Sequence, residues 1–197
     1  FDGCKKLKNV KIPDSVINIG QYAFNECREL DKISLPDKVE LIDDRAFAKS
    51  KISILHIPSS VKSIGKEAFL DCQITELLIP SKIEIKEKCF LGCININLVK
   101  GQTSISKNAF DMCSTLMEIT IPSSVNNISP FAFKGCLALR KVHISSNVKS
   151  IGKNAFQDCK LLERIRLPYC IETIGEYAFA GCQNLAEVVF DIFPKIS

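Results

Sequence analysis

The sequence predicts a single α/β solenoid domain over residues 1–197, made of eight or nine stacked units of about 23 residues. A sixteen-residue stretch recurs with few changes, as IPDSVINIGQYAFNEC at 12–27, IPSSVKSIGKEAFLDC at 57–72 and IPSSVNNISPFAFKGC at 121–136. One phenylalanine per unit recurs at intervals of 20 to 23 residues, and a cysteine follows it three residues later in eight units. A unit this short cannot bury its own apolar side chains, so neighbouring units must stack.

The first element of each unit is predicted to be a strand. In residues 27–46, Leu30, Ile33 and Leu35 form an L-x-x-I-x-L pattern whose last three positions alternate between apolar and polar residues. Pro36 then ends the strand, because proline has no N–H to give to a sheet. Stacking places these strands side by side, so we expect a parallel sheet, on the concave face of the coil, with about 4.8 Å between units.

The second half of each unit is predicted to hold a shorter extended piece and a helical turn. Val39 and Ile42 are apolar residues three apart, and the chain from there to Ser50 is long enough for about two helical turns held by packing. Glycines such as Gly65 and Gly152 precede this segment in four units, whereas Asp43 takes the same position in another. The position therefore favours a small or turn-forming residue without demanding a positive φ.

The repeated phenylalanines and cysteines are predicted to form the core. The phenylalanine column comprises Phe1, Phe24, Phe47, Phe69, Phe90, Phe110, Phe133, Phe156 and Phe179. The cysteine column comprises Cys4, Cys27, Cys72, Cys93, Cys113, Cys136, Cys159 and Cys182, with Ser50 as its one replacement. Stacked equivalent residues lie about 4.8 Å apart with parallel side chains, which suits neither a disulfide nor a convergent zinc site. We therefore expect buried free thiols, with Cys170, outside the column, as the most exposed and modifiable one.

The combined pattern resembles a known family. L-x-x-I-x-[IL]-P followed by S-x-V-x-x-I-G-x-x-A-F-x-x-C is similar to the BspA-type leucine-rich repeat, a class named for a bacterial surface adhesin and also abundant in parasitic protozoa. The resemblance covers essentially the whole chain and implies a leucine-rich-repeat solenoid. Residues 82–105 depart from the pattern and their spacing shrinks, so we expect an irregular loop or bend there.

The sequence does not favour an enzyme, a metal site or a cofactor site. His56 and His143 both fall on the outward face of the predicted sheet, but four units, or roughly 19 Å, apart, too far to share a metal or relay a proton. No nucleophile motif, phosphate-binding loop, dinucleotide fingerprint, zinc-protease motif or calcium loop is present. We therefore predict no catalytic, cofactor-binding or metal-binding residue.

A partner is predicted to bind the outward-facing strand positions. Ile54 and Leu78, on adjacent strands, form a small apolar patch with His56 beside it, and a second group is basic. The predicted partner-binding residues are Lys141, His143, Arg164, Arg166, Ile54, His56 and Leu78. Two interpretations of the basic group stay open: contact with an acidic partner, or a solvated strand face whose counter-charges are Glu118 and Glu187. Nucleic acid is disfavoured, because these positions carry no aromatic residues.

The resemblance implies a non-enzymatic module of a cell-surface or secreted adhesin that binds host extracellular-matrix or cell-surface proteins. The alternative is an intracellular leucine-rich-repeat scaffold, which the apparently reduced cysteines favour. No apolar run is long enough to span a bilayer. Phe1 begins inside a unit and VVFDIFPKIS at 188–197 ends without a polar cap, so we expect a longer native protein or self-association through the ends.

Overall fold

A computed structural model describes residues 1–80, 83–98 and 103–191 as a parallel β-solenoid with two kinds of strand in each turn. The short strands contain two residues each: β1 (Asn18–Ile19), β2 (Leu41–Ile42), β4 (Ser63–Ile64), β6 (Glu84–Ile85), β8 (Ser104–Ile105), β10 (Asn127–Ile128), β12 (Ser150–Ile151) and β14 (Thr173–Ile174). The longer strands are β3 (Ile54–His56), β5 (Glu76–Leu78), β7 (Asn95–Leu98), β9 (Glu118–Ile121), β11 (Lys141–Ile144), β13 (Arg164–Leu167) and β15 (Glu187–Phe190).

Every described strand pairing is parallel, and all but the β5–β7 pairing join equivalent positions of successive units. The long strands alternate as predicted: in β13, Arg164 and Arg166 are exposed while Ile165 and Leu167 are buried. The predicted strands of the first two units are not formed, because no strand is assigned within residues 1–17 or 20–40. The structure thus has about seven complete turns, and the eight or nine units of the prediction are not confirmed.

The predicted helical turns are replaced by a third ladder between units. In the unit of Phe47, the N–H groups of Arg45, Phe47 and Lys49 donate to carbonyls of the following unit, at 3.0, 2.8 and 2.6 Å. An α-helix needs those N–H groups for carbonyls four residues earlier in the same segment. They are already used between units, so the segment forms a series of turns, and no helix is found in the described part of the chain.

This turn segment holds left-handed residues at two fixed positions. They lie two residues before and two residues after the column phenylalanine, as at Arg45 (φ 53°) and Lys49 (φ 59°) around Phe47. A non-glycine residue in this region costs on the order of 1 kcal/mol or more. The unit tolerates that cost because the left-handed turn aims the same N–H groups at the next unit. Glycine takes the second position in four units, at Gly3, Gly92, Gly135 and Gly181.

The phenylalanine column stacks through the whole solenoid. Consecutive ring centroids are 5.0 to 5.6 Å apart, and seven of the eight pairs are parallel within 9°. The central rings, from Phe47 to Phe156, are fully buried, which confirms the predicted core. The two end rings are less buried: Phe179 is half-buried and 68% of the Phe1 surface is exposed.

The irregular units keep their strands but change register. From β5 to β7, Glu76 pairs with Asn97, whereas from β7 to β9 Asn95 pairs with Glu118 and Asn97 with Thr120. The sequence pattern aligns Glu76 with Asn95, so the observed pairing is offset by two residues. An offset of two keeps each side chain on the same face of the sheet. Part of the predicted loop over 82–105, namely residue 82 and residues 99–102, lies outside the described residues.

Candidate functional site: the outward face of the long strands

The outward face is the surface formed by the outward side chains of β3, β5, β9, β11, β13 and β15, together with the corresponding residues of the unit before β3. All seven predicted partner-binding residues lie on these strands. Ile54, His56, Lys141, His143, Arg164 and Arg166 are exposed and Leu78 is half-buried. The sequence therefore places these side chains on the correct face.

A groove in this face gathers three of the predicted residues. Ile54 and His56 of β3 and Leu78 of β5 line it together with Ile33 and Leu35 of the preceding unit. Its volume is about 620 Å³. Ile54 is 51% exposed and lines the groove. The groove is therefore an open depression that combines apolar and polar side chains.

The end of the groove is formed by the proline step that closes each strand. Pro58 and Pro80 line it together with their chain neighbours Ile57, Ser59 and Ile79. The sequence predicts these prolines only as strand terminators, so their part in the groove was missed. The signal was present: I-P recurs at equivalent positions of consecutive units, and stacked prolines present rigid apolar rings to solvent.

Ile33 and Leu35 are a second pair that the sequence did not assign to the site. Both were read as inward strand residues, and Leu35 is indeed buried, but the segment around them is not a strand. β3 consequently forms the edge of its five-stranded sheet. No backbone hydrogen bond links residues 31–35 to β3 within the described residues. The groove lies at this discontinuity, which a regular repeat pattern does not reveal.

Polar groups share the lining of the groove with the apolar side chains. His56 Nε2 lies 3.2 Å from Glu76 Oε1, so the imidazole bridges the two strands that hold Ile54 and Leu78. Ser34, Asp37 and Ser59 complete the polar lining. Apolar side chains beside polar groups that fix orientation are the usual composition of a recognition site.

The predicted basic group is largely neutralised by acidic neighbours. His143 Nε2 lies 3.0 Å from Glu118 Oε1, and Arg164 Nε lies 3.2 Å from Glu187 Oε2. Arg166 pairs with Asp191. Exposed ion pairs of this kind contribute little stability, but each one occupies a guanidinium or imidazole that an acidic partner would otherwise contact. Lys141 has no ion pair among the described residues, and β11 and β13 are not hydrogen-bonded to each other.

The two predicted groups lie apart on the outward face. The groove lies on β3, β5 and the unit before them, whereas the basic residues lie on β11 and β13, with β7 and β9 between. The structure thus brings Ile54, His56 and Leu78 together and keeps Lys141, His143, Arg164 and Arg166 separate from them.

The cysteine column is a hydrogen-bonded ladder of free thiols. Cys136 Sγ donates to the carbonyl of Phe110 and Cys159 Sγ to that of Phe133, each at 3.2 Å, so a thiol reaches back one unit to the phenylalanine before it. All ten cysteines are free. Burial raises the pKa of Cys72 and of Cys113 to about 12, which keeps both thiols protonated and unreactive. Ser50 fits the same slot, with its Oγ 3.3 Å from Cys72 Sγ.

Thiol labelling tests this arrangement. We expect a water-soluble disulfide reagent to modify Cys4, Cys170 and Cys182 in the folded protein, because Cys4 is exposed and the other two are half-buried, while the remaining seven are buried. Mass spectrometry of labelled peptides identifies the sites, and denaturant should release the other seven thiols. Rapid native labelling of Cys136 would contradict the buried ladder.

The expectation that Cys170 is the most exposed thiol is wrong. Cys4 is exposed, whereas Cys170 is half-buried and its Sγ donates to the carbonyls of Ser146 and Val148.

Other chemistry is sparse in the described part of the chain. Residues 1–80, 83–98 and 103–191 contain no group of three or more His, Cys, Asp or Glu side chains arranged to hold a metal ion. Within the same ranges, no helix has the length and apolar character needed to cross a bilayer. Phe1 and Phe190 are exposed at the two ends, and residues 192–197 lie outside the described residues, so self-association through the ends stays a prediction.

Solved structures with this architecture are leucine-rich repeat proteins. A leucine-rich repeat protein from Bacteroides ovatus ATCC 8483 is 25% identical with a TM-score of 0.55, and the match covers 96% of this chain and 57% of that one. The T. pallidum leucine-rich repeat protein TpLRR is 20% identical with a TM-score of 0.52, over 82% of this chain and 79% of that one, and supports the fold alone. This chain therefore spans little more than half the length of the B. ovatus protein.

A comparison with curated protein sequences gives no match. The family comparison is decisive, because the BspA type leucine rich repeat region matches in six copies over residues 1–97 and 94–196. Those two ranges contain every column of the solenoid, from Phe1 to Phe179 and from Cys4 to Cys182. This chain belongs to the BspA-type leucine-rich repeat family.

Proposed function

We propose that this chain is a non-enzymatic protein-binding module of a cell-surface or secreted adhesin, and that it holds a host extracellular-matrix or cell-surface protein against its outward face. The observation that carries the proposal is the groove around Ile54, His56 and Leu78. Membership of a repeat family supports protein binding in general, since solenoids present extended side-chain arrays on a rigid frame. The surface location rests on the family resemblance.

The groove is suited to an anchoring apolar side chain of a folded partner. Ile54 offers an exposed aliphatic surface, and Pro58 and Pro80 add rigid walls that lose little entropy on binding. Interfaces gain most of their affinity from a few such anchors in a well-packed pocket, surrounded by polar residues that exclude water. Ser34, Asp37 and Ser59 supply that polar surround, and Glu76 lies against His56 beside it.

The basic residues are proposed as a peripheral contact. Lys141, without an ion pair among the described residues, is free to meet a carboxylate of the partner, while Arg164 and Arg166 must first leave Glu187 and Asp191. Rim charges of this kind change association rates and salt dependence more than affinity. The bulk of the affinity is therefore expected from the groove.

Binding of immobilised, purified extracellular-matrix proteins tests the proposal. We expect an Ile54→Asp/Leu78→Asp double variant to bind its matrix partner at least tenfold more weakly, because two carboxylates replace the apolar anchor. We expect Arg164→Glu/Arg166→Glu to reduce affinity less, chiefly by slowing association at low salt. Biolayer interferometry gives both rates.

Leu137→Asp is the matched control, because Leu137 is 41% exposed and lies in a turn segment away from the outward face. It should leave affinity unchanged, and circular dichroism should show all three variants folded. Wild-type affinity in the Ile54→Asp/Leu78→Asp variant would reject the groove as the binding site. Absence of binding to every matrix and cell-surface protein tested would reject the adhesin role.

The alternative function is an intracellular leucine-rich-repeat scaffold for other proteins. The ten free thiols favour it, because oxidising compartments usually exploit cysteine for disulfides. Burial of seven of them weakens this argument for the scaffold, since buried thiols stay free where oxidants do not reach them. Localisation of the full-length native protein separates the two functions: surface exposure on intact cells supports the adhesin, and retention in the cytosol supports the scaffold.

A further inference from the structure

The step from the unit of Phe90 to the unit of Phe110 is unlike every other step of the solenoid. It has the shortest interval of the phenylalanine column, 20 residues instead of 23. Its rings are 5.6 Å apart and tilted by 39°, whereas the other rings are parallel within 9°. A tilted pair in the middle of a parallel stack marks a mismatch between two otherwise regular blocks.

The hydrogen-bond ladders change at the same step. At the regular step after Phe133, three N–H groups donate to carbonyls of the next unit. Each acceptor is the residue just before the one equivalent to its donor; Phe133 N, for example, donates to Ala155 O at 2.7 Å. At the irregular step, Lys88 N donates instead to Asp111 O, four residues beyond the equivalent acceptor Lys107. The short strands β6 and β8 are not paired, so their ladder divides into β1–β2–β4–β6 and β8–β10–β12–β14 within the described residues.

Two side-chain hydroxyls replace part of the lost ladder. Thr115 Oγ1 accepts from Gly92 N at 2.8 Å and also lies 3.4 Å from the Cys93 carbonyl oxygen, to which it donates. Ser106 Oγ donates to the Pro80 carbonyl at 2.9 Å. Each hydroxyl thus links the two blocks where backbone pairing is missing, while on the opposite side the long strands β5, β7 and β9 remain paired.

A charged cavity of about 800 Å³ opens beside the step. Glu87 and Asp111 line it with Lys86 and Lys107, and Asp111 Oδ1 is buried without a hydrogen bond. Burial raises the pKa of Asp111, although nearby Lys134 lowers it. A buried carboxylate oxygen without a partner destabilises its surroundings.

We propose that the step between Phe90 and Phe110 is a built-in joint, at which the solenoid opens on its short-strand side while the long-strand sheet holds the two blocks together. Stability in a repeat protein is close to a sum of unit and interface contributions, so the weakest interface opens first. The groove lies in the first block and Lys141 to Arg166 lie in the second. The joint therefore allows a bound partner to draw the two surfaces into a different relative orientation.

Hydrogen–deuterium exchange of the whole chain tests the joint. We expect amides in residues 84–92 and 104–111 to exchange at least fivefold faster than the equivalent amides in 127–135 and 150–158. A ratio below fivefold overturns the proposal, since the step would then be as well protected as a regular one.

A pair of matched variants tests the cause. Thr115→Val removes the hydroxyl that links Thr115 to Gly92 and Cys93 of the preceding unit, and we expect exchange in 84–111 to rise a further fivefold or more. Ser145→Ala is the control, because Ser145 Oγ donates to the Pro122 carbonyl at 3.0 Å across a regular step, and exchange around it should rise less than fivefold. An equal response to both variants, or a rise that spreads evenly over both blocks, overturns the assignment of the joint to this step.

Discussion

Phe133→Ala is expected to destabilise the solenoid by about 3–5 kcal/mol, the usual cost of removing a fully buried phenylalanine. Phe133 is completely buried and stacks on both neighbours, with ring centroids 5.1 Å from Phe110 and 5.0 Å from Phe156. Removing it leaves a cavity in the middle of the stack and exposes two ring faces. In urea titrations followed by circular dichroism, the midpoint should fall sharply, and the melting temperature should drop by roughly 10 °C.

Phe131→Ala is the control for this prediction. Phe131 lies two residues earlier, is only half-buried and packs on the surface under Lys107 and Lys134, whose Nζ atoms lie 5.9 and 5.6 Å from its ring centroid. Its loss should cost about 1 kcal/mol, the size of exposed cation–π contacts. If the two variants lose similar stability, the phenylalanine column is not the principal core of the fold.

The parts of the fold that could be predicted are those that follow directly from the repeat pattern. An apolar residue that returns every 20 to 23 residues comes to the same place in each stacked unit, so the Phe47 to Phe156 stack follows from spacing alone. The inward and outward alternation of β13 follows from the period of two. The Cys136 thiol was read as buried because a straight column offers no convergent ligands, and it is buried.

The prediction of helical turns is wrong because the N–H groups of the segment have acceptors in another unit. Residues 45–49 have the length and composition of a helical turn, but their N–H groups are drawn to the following unit by Lys66, Ala68 and Leu70 carbonyls. That competition between a local and a non-local acceptor is invisible in a single repeat. It also explains why left-handed residues such as Lys49 are tolerated without glycine.

The sequence predicts which face of the sheet carries the candidate site, but it does not predict the shape of the site. Outward positions follow from alternation, so Ile54, His56 and Leu78 were identified. The groove also depends on Ile33 and Leu35 lying in a segment that does not pair with β3, and on the Pro58 and Pro80 walls. Counter-charges were partly foreseen at Glu118 and Glu187, whereas Asp191 was not, because it follows the last strand instead of lying on it.

Gly152→Ala is expected to cost about 1–3 kcal/mol, because the added methyl group has no room. A Cβ atom at Gly152 would lie 2.5 Å from Pro130 N, 2.7 Å from Ser129 C and 2.9 Å from Pro130 Cα. These are backbone atoms of the preceding unit, so no side chain can rotate away and the backbone itself must shift. The glycine is therefore required by close approach between units, since its φ is not positive.

Native units such as those of Asp43 and Ser129 carry a Cβ at this position. The N–H there donates to the preceding unit at 2.7 Å for Gly65 and 2.8 Å for Gly152, and at 2.9 Å for Asp43 and 3.0 Å for Ser129. The ring spacing does not increase with the Cβ, since the Asp43 and Ser129 steps have rings 5.2 and 5.1 Å apart and the Gly65 step 5.4 Å. Gly152→Ala adds a Cβ to the step whose Phe133 and Phe156 rings are 5.0 Å apart, the shortest distance in the column.

Gly20→Ala separates crowding from the intrinsic effect of the substitution. Nothing lies within 4 Å of a Cβ added at Gly20, and its φ is also not positive. Alanine there should be neutral or stabilise by up to about 1 kcal/mol, because it reduces the entropy of the unfolded chain. Thermal unfolding of both variants measures the contrast: a Gly152→Ala protein as stable as Gly20→Ala would mean that the units are not packed at the distance on which the three ladders depend.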